Sequence, residues 1–184
     1  MGRATLVFAL IIFAAATLCI NYKVKVVIQG ERESGRHPTE TGNVKVGQPA
    51  PGFSVLDLSN RLVSLADYRG HKVVVLDFWA TWCGPCRMEM VELQSLLDQS
   101  KRDQFEILSL DQQEPSNQVS AFITRKKYGF HVLMDDGTVS AQYGVRAMPT
   151  LILVDTNGVI RWLQVGYSQN SDELRDTLKK LTGH

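Results

Sequence analysis

The sequence of 184 residues contains only three cysteines and almost no net charge, and each of these scarcities excludes a class of protein. Three cysteines are too few for a small domain that is held together by several disulfides. Twenty basic and nineteen acidic side chains give a formal net charge of +1, which argues against a protein that binds nucleic acid through its overall field. The hydrophobic fraction of 44% argues against a disordered chain. The length suits one domain of ordinary size with an appendage.

Charged residues are absent from one N-terminal stretch, Ala4–Ile20. Its length is near the lower limit of about 17–25 residues for a membrane-spanning helix, and it exceeds many signal-peptide cores. An uncleaved anchor and a cleaved secretory signal are the two alternatives. We favour the anchor, because no clear cleavage site is followed by an obvious mature start. Cys19 fits an apolar residue of this segment better than a lipid-attachment cysteine, because Leu18 stands where a small residue is expected.

Residues 31–43, with the sequence ERESGRHPTETGN, lack large apolar side chains and have the composition of a flexible linker. The sequence therefore predicts three parts. Residues 1–22 form a membrane anchor or signal segment, residues 23–43 form a linker, and residues 44–184 form a globular domain.

From residue 44 onward, strand and helix patterns alternate. Apolar runs predict three strands: Val73–Leu76, Phe105–Leu110 and Thr150–Val154. The Asn157-Gly158 turn predicts an antiparallel partner strand over Val159–Val165, and a further hairpin is predicted over Phe53–Leu65 with its turn near Ser59-Asn60.

Three helices are predicted from helical spacing. The first follows Cys86, and the second opens at Pro115-Ser116 and is closed by Gly129. The third is C-terminal and carries Asn170 and Glu173 at capping-box spacing. Together these elements predict an α/β fold with a mixed central sheet flanked by helices.

Two of the three cysteines lie close together, in the sequence Cys83-Gly84-Pro85-Cys86, between a buried strand and a helix. The first turn of a helix has unpaired N–H groups and a positive dipole end, which stabilise a thiolate there. Pro85 suits this turn because its missing N–H is not needed. The spacing supplies an attacking thiol, Cys83, and a more buried resolving thiol, Cys86, which is the chemistry of disulfide exchange.

Two other interpretations of the cysteine pair are weaker. A structural zinc site needs about four ligands, whereas the domain has a single cysteine pair and histidines that are not at ligand spacing, so we predict no metal site. A purely structural disulfide would close so short a loop that it would constrain the unfolded chain very little.

The residues around the pair resemble a known family. Residues 79–86, WATWCGPC, resemble the active site of the thioredoxin superfamily, and residues 143–150, YGVRAMPT, resemble the loop that holds its cis-proline. Residues 46–53 and 65–70 resemble the membrane-anchored TlpA/ResA-like thiol-disulfide oxidoreductases. The resemblance covers Val44–Leu181 and implies a thioredoxin-like fold with an added N-terminal hairpin. It also implies an extracytoplasmic domain, anchored through residues 4–20, or periplasmic or secreted if that segment is cleaved.

The resemblance implies a role for each matching residue. Cys83 is the nucleophile, Cys86 is the resolving thiol, and Pro149 is the cis-proline that leaves the backbone before it free to pair with a substrate. Asp77 matches an acid that relays a proton for the resolving thiol, and Glu89 matches an acidic position near the active site. The residues expected to contact substrate are Trp82, Gly84, Pro85, Met148 and Thr150.

Simpler interpretations exist for several of these residues. Asp77 could be an exposed strand-end aspartate, Glu89 a solvated helix residue, and Pro149 an ordinary strand-entry proline. Val91 departs from the family pattern, which has a proline that kinks the helix there, so we expect the helix to be straighter or bent by other means.

The expected function is reduction of disulfides in extracytoplasmic proteins, because Gly-Pro between the cysteines resembles reducing thioredoxins. No cofactor is expected beyond the redox-active Cys83–Cys86 pair, so an upstream thiol donor, such as a membrane thiol transporter, must regenerate the dithiol. Family analogy suggests a place in cytochrome c maturation. The alternatives are a thiol peroxidase of peroxiredoxin type and a non-catalytic docking module. The peroxidase motif fits poorly, because Trp79 stands where that motif has proline.

Overall fold

The computed structural model of the protein describes residues 40–100, 104–169 and 172–183. Within these residues the chain forms seven strands and four α-helices. The strands are β1 Ser54–Leu56, β2 Leu62–Ser64, β3 Val73–Trp79, β4 Phe105–Gln112, β5 His131–Asp135, β6 Thr150–Val154 and β7 Ile160–Val165. The helices are α1 Gly84–Gln99, α2 Ser116–Lys126, α3 Thr138–Tyr143 and α4 Asp172–Thr182, and a short 3₁₀ turn covers Leu65–Tyr68.

Five of the strands form the central sheet, in the order β5-β4-β3-β6-β7. β3, β4 and β5 run parallel to one another, whereas β6 is antiparallel to both β3 and β7. This is the mixed sheet that the sequence predicts. All seven residues of β3 are buried, because the strand lies at the centre of the sheet and is covered on both faces.

The two faces of the sheet are covered by different parts of the chain. The first face packs against α1, α2 and α4 in a cluster in which the Trp79 and Phe122 rings lie 5.5 Å apart. The second face packs against α3 and the N-terminal segment, whose buried residues include Phe53 and Leu65. The active-site helix α1 therefore shares the first face with the two other long helices.

The N-terminal hairpin forms as predicted, with β1 antiparallel to β2 and Asn60 in the left-handed conformation at φ 59° in the turn. The segment around it contacts both outer strands of the central sheet. At β7, the Gly47 N–H donates to the Ile160 carbonyl at 2.8 Å. At β5, Asp57 forms an antiparallel bridge with Leu133.

The prediction that Gly129 closes α2 is wrong. The helix ends at Lys126, and Lys127 adopts the left-handed conformation at φ 58°, with its N–H directed to the carbonyls of Ile123 and Thr124. A lysine takes the position that glycine usually fills, and Gly129 lies beyond the cap. The last strand, β7, begins one residue after the predicted Val159.

Some predictions fall outside the described residues. These are the anchor or signal segment over residues 1–22, most of the linker over residues 23–43, and Asn170 of the C-terminal capping box. Among the residues that the structure describes, no helix has both the length and the apolar character needed to cross a membrane.

Candidate active site

The cysteine pair lies where the central strand β3 passes into α1. After β3 the chain makes a tight turn that is closed by a hydrogen bond of 3.1 Å from the Cys83 N–H to the Ala80 carbonyl. Cys83 is the N-cap of α1, and its Sγ accepts a hydrogen bond of 3.2 Å from the Cys86 N–H. Pro85 lies in the first helical turn, as its missing N–H favours. The sequence prediction of a thiol at a helix N-terminus is therefore confirmed.

Cys83 and Cys86 are joined by a disulfide, with their Cα atoms 5.3 Å apart. Cys83 is 6% exposed and Cys86 is 1% exposed, so the outer sulfur is the one that an incoming thiolate reaches more easily. The Cys86 N–H donates to the Cys83 sulfur, which caps the positive end of the α1 dipole, and both favour the thiolate form after reduction.

Three polar residues and one leucine form a row across the face of the sheet on which α1 lies. Ser109 of β4, Asp77 of β3, Leu151 of β6 and Gln164 of β7 are successive register partners, so they share one face. The Ser109 hydroxyl donates to Asp77 Oδ2 at 2.8 Å. Polar atoms thus enter a layer that is otherwise apolar.

Asp77 is 1% exposed, which excludes the interpretation of an exposed strand-end aspartate. Burial raises the pKa of this carboxyl to about 7, although the hydrogen bond from Ser109 opposes the shift. A group with such a pKa can hold or release a proton near neutral pH, as the resemblance implies for an acid that serves the resolving thiol.

Glu89 is 4% exposed, so it is not the solvated helix residue of the simpler interpretation. Its Oε1 accepts a hydrogen bond of 2.8 Å from the Gln164 amide, and its Oε2 has no partner among the described residues. Burial raises the pKa of Glu89 to about 9, and the nearby carboxylates of Asp77 and Glu92 add to the shift. Glu89 is therefore a neutral acid at pH 7, next to a second acid that titrates near 7.

The loop before β6 carries the other matching motif. The Met148–Pro149 peptide bond is cis, and the Pro149 carbonyl accepts a hydrogen bond of 2.7 Å from the Gly166 N–H. Met148 packs against the apolar cluster that contains both cysteines. Thr150 is fully buried and its hydroxyl donates to the Ala147 carbonyl at 2.7 Å. Its side chain therefore shapes the loop and lies inside it, not on the docking surface predicted for it.

Trp82 is 67% exposed, and Pro85 is also exposed, whereas Gly84 is half-buried. An exposed indole beside a redox-active disulfide offers apolar contact area to another protein. Val91 is exposed on α1, which runs without interruption from Gly84 to Gln99. The missing proline therefore leaves a continuous helix.

Sequence reasoning missed Gln164 and Ser109. Each reaches the site through strand register, and neither belongs to a motif. The available signal was weak: Gln164 is a glutamine at a buried position of an otherwise apolar stretch in β7. Within the described ranges, no three histidine, cysteine or acidic side chains converge so that they could hold a metal ion.

The disulfide lies at a helix N-terminus beside a cis-proline loop, and the fold is a mixed sheet with flanking helices. These features define a thioredoxin-like redox protein. Comparison with known proteins agrees. A model of the AhpC/TSA family matches residues 46–163. A candidate thiol:disulfide interchange protein DsbE from Chlorobium tepidum has a crystal structure that is similar to this one. The TM-score is 0.71 and the identity 29%, covering 77% of this chain and all of the other.

Sequence relatives narrow the class. The chain is 34% identical over 145 residues to thiol-disulfide oxidoreductase ResA of Bacillus thuringiensis subsp. konkukian, covering 78% of this chain and 83% of the relative. It is 38% identical over 136 residues to ResA of Geobacillus thermodenitrificans, covering 73% and 77% respectively. The chain belongs to the ResA-like thiol-disulfide oxidoreductases of the thioredoxin superfamily. It is an enzyme of the protein-disulfide reductase type, and its substrates are disulfide-containing proteins.

Proposed function

We propose that the protein reduces disulfides of extracytoplasmic proteins through a dithiol-disulfide cycle of Cys83 and Cys86. The catalytic roles of the two cysteines are assigned from the positions of their sulfur atoms. Cys83 caps α1 and keeps some exposure, whereas Cys86 is buried one turn further along the helix. The outer sulfur is therefore the nucleophile and the inner sulfur the resolving group.

The cycle balances in two exchange steps. The Cys83 thiolate attacks one sulfur of the substrate disulfide, forms a mixed disulfide and releases the other substrate sulfur as a thiolate. The Cys86 thiolate then attacks Cys83 Sγ, forms the Cys83–Cys86 disulfide and releases the second substrate thiolate. Two electrons pass to the substrate, and a reducing dithiol from an upstream donor restores the enzyme. The redox chemistry is assigned to the cysteine pair itself, with no further cofactor.

Two acids manage the proton of the resolving thiol in this proposal. Asp77, with a pKa of about 7, accepts the Cys86 proton when Cys86 attacks. Glu89 stays protonated at neutral pH, so the site avoids a second buried negative charge beside Asp77.

Substrate is expected to dock on the surface around the disulfide. The exposed Trp82 and Pro85 provide apolar contacts, with Gly84 between Pro85 and Cys83, and the backbone before Pro149 pairs with the extended substrate chain. Outside residues 1–20, which contribute only Arg3, the chain carries equal numbers of acidic and basic side chains. Recognition is therefore assigned to this surface and not to a long-range field.

The proposed place of action rests on the composition of the N-terminal sequence. We assign residues 1–22 to an anchor or signal segment, residues 23–43 to a linker, and residues 44–184 to the redox domain. In this proposal the domain lies on the extracytoplasmic side, where a membrane thiol transporter would supply reducing equivalents. Apocytochrome c is a candidate substrate by analogy with the TlpA/ResA-like family.

The test is reduction of insulin disulfides by the wild type and by single cysteine variants. Cys83→Ser is expected to abolish turnover, and Cys86→Ser is expected to accumulate a mixed disulfide that non-reducing gels resolve. Turnover of hydrogen peroxide that survives loss of Cys86 would instead support a thiol peroxidase. Partner function that is unchanged without either thiol would support a docking module.

A further inference from the structure

The turn that carries the active site is held by hydrogen bonds to a residue outside the cysteine motif. In the Ala80–Cys83 turn, the N–H of Thr81 has no partner within the turn, because the turn bond joins its first and last residues. This N–H donates instead to Glu114 Oε2 at 2.5 Å. The Thr81 hydroxyl donates to Glu114 Oε1 at 2.6 Å. One carboxylate thus holds both the backbone and the side chain of a turn residue 33 positions away.

Glu114 is itself held in place by its neighbours. Its own N–H donates to Asp111 Oδ1 at 3.1 Å, at the end of β4. The Gln118 amide, on the first turn of α2, donates to Thr81 Oγ1 at 3.0 Å and also to Glu114 Oε1. The loop between β4 and α2 and the active-site turn are therefore joined by one hydrogen-bond network.

The charge in this network rests on Glu114. Burial alone would raise the pKa of Glu114, but hydrogen bonds, those from Thr81 foremost, outweigh it and leave the pKa below its usual range. Burial raises the pKa of the adjacent Asp111 to about 8, and the Glu114 carboxylate adds to that shift. Glu114 is thus a carboxylate at neutral pH, which makes its bonds to Thr81 charge-assisted and stronger than neutral ones.

The turn held by Glu114 carries the largest exposed apolar side chain near the disulfide. Trp82 directly follows Thr81, and its indole is 67% exposed. Fixing the backbone of a residue costs conformational entropy, and a turn that is already fixed does not incur this cost when substrate binds.

We propose that Glu114 is a positioning residue that fixes the Ala80–Cys83 turn, and with it the Trp82 indole, for the docking of a protein substrate. The inference rests on the proposed function. It assigns Glu114 to substrate affinity, whereas thiol-disulfide exchange itself stays with the cysteines. A disulfide too small to cover Trp82 should depend on Glu114 far less than a protein does.

The test compares steady-state kinetics of Glu114→Ala and wild type with two substrates, insulin and the small aromatic disulfide 5,5′-dithiobis(2-nitrobenzoate). The insulin KM is expected to rise on the order of tenfold more than that of the small disulfide, with the loss in KM rather than kcat. The matched control is Glu106→Ala. Glu106 is a half-buried glutamate at the other end of β4 whose partner, Lys72, lies 3.1 Å away. This control should show no such selectivity.

Glu114→Gln keeps one oxygen for the Thr81 N–H and is expected to recover most of the insulin affinity. If Glu114→Ala does not fold, Gln118→Ala removes one donor of the network at an exposed position and should show a smaller selective rise in the insulin KM. An equal rise in KM for both substrates, or no rise for either, would overturn the positioning role. Failure of the wild type to reduce either substrate would contradict the proposed function instead.

Discussion

Gln164 lies opposite α1 on the outer strand β7 and holds the carboxyl group of Glu89. Its amide donates to Glu89 Oε1 at 2.8 Å and to the Gly166 carbonyl at 2.9 Å. A donor stabilises the charged form of a carboxyl group, so this bond lowers a pKa that burial raises. Gln164 therefore limits how far the pKa of Glu89 departs from its usual value.

We expect Gln164→Leu to raise the pKa of Glu89 further, by about one unit, since a hydrogen bond to a charged group contributes about 1.5 kcal/mol. The measurement is a pH titration of the Glu89 carboxyl carbon by NMR. Gln112→Leu is the matched control, because Gln112 is a glutamine of β4 that donates to a buried carboxylate, Asp135, at 3.1 Å. An unchanged Glu89 midpoint in Gln164→Leu, or an equal shift in the control, would contradict the assignment.

At the scale of elements, the end of α2 depends on a backbone conformation that few residues favour. Lys127 closes the helix in the left-handed region at φ 58°, where branching at Cβ adds steric strain. We expect Lys127→Val to lower the free energy of unfolding by about 1–2 kcal/mol.

The neighbouring Lys126→Val serves as the control for the Lys127 substitution. Lys126 is also exposed but lies within the helix, so the change there should cost only about 0.5 kcal/mol of helix propensity. Urea unfolding of both variants measures the difference. An equal decrease in the free energy of unfolding for both variants would show that the left-handed cap does not determine the cost of the Lys127 substitution.

The sequence predicted those elements whose patterns are local and long. β3 is a continuous apolar run, and the start of α1 is marked by its cysteines and Pro85, so both could be recognised. β5, His131–Asp135, was not predicted because it has five residues with polar ends. α3, Thr138–Tyr143, is too short for helical periodicity to appear.

The difference between local patterns and long-range contacts also separates the predicted from the missed residues of the active site. Cys83 and Cys86 are recognised from their spacing, and Pro149 from a loop that resembles the cis-proline loop of thioredoxins. Gln164 meets Glu89 across 75 positions of sequence, and Glu114 meets Thr81 across 33. Such contacts arise from strand order and register, which no local pattern encodes.

At the scale of the whole molecule, buried acids make stability depend on pH in an unusual direction. The pKa values of Asp77, Asp111 and Glu89 are raised to about 7, 8 and 9. Between about pH 4 and these values the folded protein holds protons that the unfolded chain releases, so stability falls as the pH rises. Asp57 acts oppositely, because the Arg61 N–H in particular holds its pKa well below the usual range, so its stabilising effect is lost as the pH falls below about 4.

We therefore expect the oxidised protein to be most stable near pH 4 and to lose several kcal/mol towards pH 9, as measured by urea unfolding across that range. Asp77→Asn cannot ionise at this position. Relative to wild type it should gain on the order of 2 kcal/mol at pH 8 and much less at pH 5. A difference between the two proteins that stays constant with pH would show that Asp77 does not titrate in this range.

The contacts of the N-terminal segment with both outer strands of the central sheet bear on colloidal behaviour. An uncovered outer strand presents unpaired N–H and carbonyl groups on which a strand of another molecule can add, and such pairing starts aggregation. Here the Gly47 N–H and the Gln48 carbonyl pair with the Ile160 backbone at one border, and Asp57 bridges to Leu133 at the other. The segment thus protects the sheet against intermolecular strand addition, and its removal would leave two templates for fibril growth.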